Sequence, residues 1–459
     1  MQSKLPDYDS DLLYYYPVDY GQYTYIVADA ETTIRNRGED AVGSQSGSPH
    51  HPNNRVCYWG CSEPQPVNSA VLDLQANVYD MDELQQMKFI ERMRMSNLMV
   101  GHNFKFDMLY MLKEFRSEFD TFIAKGGRIW DTMIVEYLLS NQMEQFVPLS
   151  SKYRVRELVY PDGTPYQSKE ITRQGLAVKY GGTDKDERIA EYWNNGIDTP
   201  EIPKNEIKEY AVDDIINTHT VFRGQINKAR ARGQEFMNLI MTQMDALVAT
   251  TYMEYNGMHF DMDKCAPKAK SMAEKFDKLH ADLQNEMAEE LEIHREHTIP
   301  RVENEDCNPN SNQQIATILF GGVFKYRKQV DVLDDDGNPV VYKSGAKAGQ
   351  IKTKWTDFVI DIPSSVALCD AEELAISKTD GGSWQVDDAN LQKCEKDSPT
   401  LINKLLKYRK LDKDLNTYYL GLMELVWPND SCIHGNLNHC STATGRLSSS
   451  APNMQNISG

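Results

Sequence analysis

Two carboxylates stand two residues apart where an apolar run ends, in Tyr25-Ile-Val-Ala-Asp29-Ala-Glu31. The run has strand character, and residues i and i+2 of a strand point to the same side, so Asp29 and Glu31 face one way together. Such a pair suits a hard divalent cation such as Mg²⁺, which takes oxygen ligands and keeps several waters. In isolation it also fits a solvated acidic turn after an edge strand. Further along, Asn97-Leu-Met-Val-Gly-His-Asn103-Phe-Lys-Phe106-Asp107 reads as a strand, a glycine turn and a helix with Asp107 in its first turn. A helix N-terminus favours negative charge there for structural reasons alone. Tyr210 and Asp214 are four apart within a helical stretch from Glu206 to Phe222, so they share one face. A half-buried tyrosine above a capping-type aspartate is the structural counterpart of that pair.

The elements that must position these groups follow from periodicity and breakers. After the first strand, Ile34 to Arg55 is rich in Gly, Ser, Pro and Asn and reads as a long loop; strands are expected around Val56-Cys-Tyr-Trp and Ala70-Val-Leu-Asp-Leu. Asp82 to Met95 carries helical periodicity, and another helix starts near Asp131. Residues 1–24 read as an acidic, tyrosine-rich arm, and from Asn141 to Pro203 the pattern weakens into loops and short helices. Long helices follow. Phe236 to Tyr255 stops at Asn256-Gly257, and Met272, Phe276, Leu279, Leu283, Met287 and Leu291 form an apolar stripe that pairs with Leu401 to Glu424. Ser311 caps a helix whose free amides could receive an anion. Asp334-Asp-Asp-Gly337 is a hairpin turn, so Val330 to Pro363 reads as a β-hairpin insertion with Lys343, Lys347, Lys352 and Lys354 on its return.

Composition sets the outer bounds. A chain of 459 residues has room for roughly two to four domains, and 40% hydrophobic with 25% charged residues is ordinary for a soluble globular protein. No stretch approaches the ~20 apolar residues of a membrane span, and the start lacks a signal peptide's apolar core, so no membrane partner and an intracellular, cytoplasmic location are expected. The formal charge of −19 excludes general attraction to nucleic acid, leaving local basic surfaces or bound metal to make any such contact. Eight cysteines over this length do not form a disulfide framework. Two groups invite a zinc reading, His50-His51 with Cys57 and Cys61, and Cys432, His434, His439 and Cys440; neither has paired Cys-x-x-Cys spacing.

Taken in order, Asp29-x-Glu31, Asn103-x-x-Phe106-Asp107 and Tyr210-x-x-x-Asp214 resemble the three exonuclease motifs of the proofreading domain of DNA polymerases. Ser441-Thr-Ala-Thr-Gly-Arg446-Leu-Ser-Ser with Pro452-Asn453-Met-Gln455-Asn resembles the first polymerase motif of family A, the bacterial polymerase I type. Glu254 to Asp261, Asn308 to Phe320, and Tyr408-Arg409 through Lys413 to Tyr418 resemble the helices that lead into and build that family's thumb.

The resemblance implies an α/β fold: a ribonuclease-H-like 3′–5′ exonuclease domain over residues 25–225, the start of the polymerase region with a mainly helical thumb over 226–430, and the start of the palm over 431–459. It implies that Asp29, Glu31, Asp107 and Asp214 hold two divalent cations, Mg²⁺ or Mn²⁺, with Asp29 bridging, and that Tyr210 orients the attacking water. Expected DNA contacts are Asn103, Phe106, Ser311, Arg409, Lys413, Arg446, Asn453 and Gln455. The substrate would be a single-stranded 3′ end of DNA or a primer-template. Because the later palm and fingers motifs do not occur, polymerisation is expected only with a separate palm and fingers polypeptide. A non-catalytic DNA-binding subunit is the remaining reading.

Overall fold

The computed structural model describes residues 20–38, 41–69, 74–81, 84–144, 175–184, 188–298, 308–334, 337–342, 349–362, 367–379 and 382–456. The arm over 1–19, the expected strand residues 70–73, and Lys343 and Lys347 lie outside them. Two compact units result, one from Met1–Phe260 with Met423–Gly459 and one from Asp261–Leu422.

The first unit is built on strand β1 (Thr24–Thr32), buried at every residue except Thr24 and Asp29. A strand covered on both faces needs apolar residues at consecutive positions, which Tyr25, Ile26, Val27 and Ala28 supply. Strand β2 (Val56–Ser62) runs antiparallel beside it, the two-residue β3 (Gln65–Pro66) also pairs with β1, and β4 (Ala76–Asp80) pairs antiparallel with β2. On the other side β5 (Leu98–Gly101) runs parallel to β1, and β6 (Arg128–Asp131) runs parallel to β5. The mixed sheet therefore has the order β4-β2-β1-β5-β6. Its helices are α1 (Leu84–Met95), α2 (Lys105–Glu114), α3 (Arg116–Ala124), α4 (Thr132–Leu139), the short α5 (Leu176–Lys179) and α6 (Arg188–Asn194), and the long α7 (Lys204–Ala231) and α8 (Gln234–Asn256). Trp59 stacks on Phe89 with ring centroids 4.3 Å apart, and Trp130 meets Phe222 edge-on at 5.3 Å.

The expected boundary at residue 225 does not divide the structure. Helix α7 runs on to Ala231, and α8 places Met237, Ile240, Met241, Met244 and Leu247 in the same core as the sheet. That spacing of three and four residues makes one apolar stripe, which binds α8 to the unit before it. The boundary expected at residue 430 also shifts, because 423–459 returns to the first unit. There β7 (Met258–His259) pairs with β11 (Cys432–Ile433), which pairs with β10 (Val426–Trp427), and β12 (Asn436–Asn438) pairs with β13 (Ser448–Ser450).

The second unit is mainly helical. Helix α9 (Met262–Thr298) faces α12 (Pro399–Asp412), with the rings of Phe276 and Tyr408 4.8 Å apart. A π-helical turn over Lys413–Leu420 continues α12. Helices α10 (Asn312–Phe320) and α11 (Asp388–Lys393) complete a core containing Leu283, Ile315, Leu319, Leu391, Ile402 and Leu405. The hairpin is longer than expected: β8 (Gly322–Asp331) starts directly after α10 and pairs along its whole length with β9 (Thr353–Ile362).

Leu405 is fully buried and Leu239 is 43% exposed. Leu405→Ala is expected to cost about 2–5 kcal/mol through lost burial and a residual cavity, and Leu239→Ala to stay within about 0.5 kcal/mol. Urea unfolding followed by circular dichroism checks both.

Candidate metal centre at the end of the central strand

Strand pleating delivers the first two groups. Asp29 and Glu31 lie on one side of β1, next to a register shift between Glu31 and Thr32. Such bulges re-aim side chains where a ladder is interrupted. Helix α7 delivers the third: ligand-type oxygens of Asp29, Glu31 and Asp214 all lie within 4.8 Å of one another. Gly60, the residue opposite Asp29 on β2, lies tightly against α7 here. A Cβ there would stand 3.1 Å from Ile215 Cγ1 and 3.5 Å from the Ala211 carbonyl oxygen, both on α7.

The fourth carboxylate arrives from α2. Asp107 Oδ1 accepts a hydrogen bond of 2.8 Å from the amide of Ala30, the residue between Asp29 and Glu31. Burial, the charge of Asp29 and, more weakly, that of Glu31 hold Asp107 well above the ordinary carboxylate range, against the pull of the Ala30 amide. Glu31, Asp107 and Asp214 are only 4%, 3% and 3% exposed. Four acids at one buried place repel each other, and a bound cation inverts that balance. Among the described residues, Asp29, Glu31 and Asp214 form the one group of His, Cys, Asp or Glu with metal-binding spacing. The donor set is oxygen only, which fits Mg²⁺ or Mn²⁺ rather than zinc. Tyr210, 9% exposed, sits one turn before Asp214 on the buried face of α7.

Asp131 had shown in the sequence only as a helix start. It caps α4 by accepting from Met133 N at 2.8 Å, and it also accepts from Asn103 N at 3.1 Å and Phe104 N at 2.8 Å. Burial pushes it up to about 6 while these amides pull it down. The turn it grips is tight: Asn103 has φ 53°, and a Cβ on Gly101 would fall 1.9 Å from the Phe104 ring. Asp131 thus fixes the turn that presents Asp107. Neither Asp131 nor Gly60 belongs to the motifs, and a buried acid near a strand end was the only available signal.

The remaining expected residues fall into separate groups. Asn103 is exposed and half-buried Phe106 packs edge-on against Tyr110 at 5.3 Å, both flanking Asp107. Arg446 is exposed; Asn453 Oδ1 accepts from Ser449 Oγ and Gln455 N, each at 3.2 Å, and Gln455 Nε2 donates to Leu447 O at 2.8 Å. In the second unit Ser311 Oγ accepts from Gln314 N at 3.3 Å and caps α10, and Lys413 is exposed. Arg409 is committed to the protein, donating to Pro309 O at 3.1 Å, Val386 O at 2.6 Å and Asn312 Oδ1 at 3.2 Å. It braces the start of α10 rather than offering an open phosphate ligand. The suggested zinc groups do not assemble: the His50 ring stacks on His434 at 3.6 Å, Cys57 and Cys61 are buried in β2, and His434 bonds Glu254 O and Asp430.

Residues 347–459 match the family model for DNA polymerase family A. Over 83 residues, 18% of this chain and 10% of the relative, the sequence is 40% identical to "DNA polymerase I, thermostable" of Thermus thermophilus. Over 74 residues, 16% of this chain and 7% of the relative, it is 45% identical to DNA polymerase I of a Synechocystis species. The chain is related to the family A DNA polymerases. The fold agrees: the POL domain of Pol1 from M. smegmatis, solved in complex with DNA primer-template and dNTP, superposes with a TM-score of 0.52 at 13% identity, over 95% of this chain and 53% of that one. The aligned segments span a tenth or less of these sequence relatives, and the chain spans about half of the solved polymerase domain.

The crowding of carboxylates makes a stability prediction. A carboxyl whose pKa rises on folding contributes its stability at low pH and loses it as pH climbs from the ordinary carboxylate range through the raised value. Asp107 is such a group. In EDTA, Asp107→Asn is therefore expected to melt above the wild type at neutral pH, with the gap closing as pH falls to about 4. Differential scanning calorimetry at both pH values checks it.

Proposed function

We propose that the first unit is a 3′–5′ DNA exonuclease, the editing domain of a family A DNA polymerase. The convergence of Asp29, Glu31, Asp107 and Asp214, with Tyr210 one turn from Asp214, carries the reading. The strand order supports it, since three antiparallel strands followed by two parallel ones are the arrangement of a ribonuclease-H-like sheet. The family relationship over 347–459 supports DNA as the nucleic acid.

Two Mg²⁺ or Mn²⁺ ions held by the four carboxylates would supply a hydroxide nucleophile and neutralise charge on the departing 3′ oxygen. The protein's own groups do the rest. The Tyr210 hydroxyl orients the attacking water. Asn103 and Phe106, flanking Asp107, receive the terminal nucleotide. Hydrolysis breaks the bond from phosphorus to the 3′ oxygen of the penultimate sugar, forms a bond from phosphorus to the water oxygen, and leaves a nucleoside 5′-monophosphate. Ser311 with the start of α10, Lys413, Arg446, Asn453 and Gln455 are read as contacts to a primer-template. Primer extension is expected only where palm and fingers are supplied as well.

A 5′-labelled single-stranded oligonucleotide should shorten from its 3′ end in Mg²⁺ and stay intact in EDTA. The double variant Asp29→Ala, Glu31→Ala should lose at least about a thousandfold in rate, a loss of several kcal/mol of transition-state stabilisation. Digestion by that variant at the wild-type rate would falsify the assignment.

A further inference from the structure

Tyr210 is not held by the main core. It belongs to a small separate cluster with Tyr58, Ile189, Ile202 and Ile207, against which Trp193 packs. The Trp193 ring stands nearly perpendicular to that of Tyr210, at 88° with centroids 6.0 Å apart. An edge-to-face contact of this kind is a preferred aromatic geometry, and it blocks the swing of the tyrosine ring.

Trp193 is itself anchored. Its Nε1 donates to Thr199 Oγ1 at 3.1 Å, and the Thr199 hydroxyl donates onward to the carbonyl of Thr32 at 2.6 Å. Thr32 follows Glu31 in β1, and Thr199 is fully buried. The preceding residue closes the same joint: Asp198 accepts from Ile34 N at 2.9 Å and from Thr199 N at 2.9 Å, and its own amide donates to Glu201 at 2.9 Å.

We propose that Trp193 is a positioning residue for Tyr210, locked through Thr199 to the strand end that carries Glu31. The relay from Thr32 through Thr199 and Trp193 sets the tyrosine hydroxyl and the Glu31 carboxylate in one frame. Segment 188–202, which carries none of the motif residues, is then part of the machinery. The kinetic half of the proposal rests on the exonuclease reading; the geometric half does not.

The experiment compares Trp193→Leu, Trp193→Phe, Tyr210→Phe and the Trp193→Leu, Tyr210→Phe double variant. Each is assayed on a single-stranded oligonucleotide in Mg²⁺ and, after incorporation of 3-fluorotyrosine, by ¹⁹F NMR, with the Tyr210 resonance assigned by its loss in Tyr210→Phe. Trp193→Leu should shift that resonance and lower kcat about ten- to a hundredfold with KM little changed, as expected for misplacement of a catalytic group. Trp193→Phe, which keeps an aromatic edge, should recover most of the loss, and the double variant should be no slower than Tyr210→Phe alone. An unmoved resonance, or additive losses in the double variant, overturns the proposal. A resonance shifted by Trp193→Leu, with no nuclease activity in the wild type, upholds the positioning and sinks the exonuclease reading instead. If Trp193→Leu does not fold, Thr199→Val, which cuts the relay, takes the same two readouts.

Discussion

The repulsion among acids at the end of β1 is the constraint on which the first unit depends. Asp29, Glu31 and Asp214 crowd together, and Asp107 is drawn in beside them by the amide of Ala30. Without a cation this arrangement opposes folding, and it persists because the surrounding structure over-determines it. The opposing weight is the apolar core: Trp59, Trp130, Tyr110, Phe89 and Phe222 are all under 2% exposed and share one core with the residues of β1. A site of this kind is stable only on a rigid support, and β1 lies at the centre of its sheet rather than at an edge.

Three different elements bring in the four carboxylates, so the site has separable supports. Asp29 and Glu31 share the pleat of β1. Asp107 depends on the turn gripped by Asp131, whose two oxygens serve both α4 and the residues before α2. Asp214 depends on how closely α7 can approach β2, where Gly60 lies tightly against it. Tyr210 depends on the satellite cluster and on segment 188–202. Damage to one support should misplace one group without unfolding the sheet.

Much of this was legible in the sequence where the signal was local. Spacing two in a strand and four in a helix put Asp29 with Glu31 and Tyr210 with Asp214, and the helix start at Ser311 carried its own capping chemistry. What could not be read was set by contacts distant in sequence. The grip of Asp131 on Asn103 and Phe104 crosses 28 and 27 residues, and the link from Thr199 to Thr32 crosses 167. The boundary expected at 225 failed because α8 looks the same by periodicity whichever unit receives its apolar stripe. Arg409, expected among the DNA contacts from the resemblance, is a related case: only the fold shows its guanidinium occupied by Pro309 and Val386 carbonyls and by Asn312.

The net charge of −19 does not count against a nucleic-acid substrate once the site's geometry is known. At physiological ionic strength exposed charges are largely screened beyond about 8 Å, so the total matters less than the groups within one screening length of the bound phosphate. At the end of β1 those groups are carboxylates, and they attract a polyanion only after cations have reversed the local sign. On the exonuclease reading, the same acids that make the metal-free site unfavourable make the loaded one selective, because phosphate recognition there would be conditional on the metal. In the second unit Arg409 holds Pro309 and Asn312 at the Ser311-capped start of α10. On the exonuclease reading, an acidic chain would handle DNA through a few prepared positions.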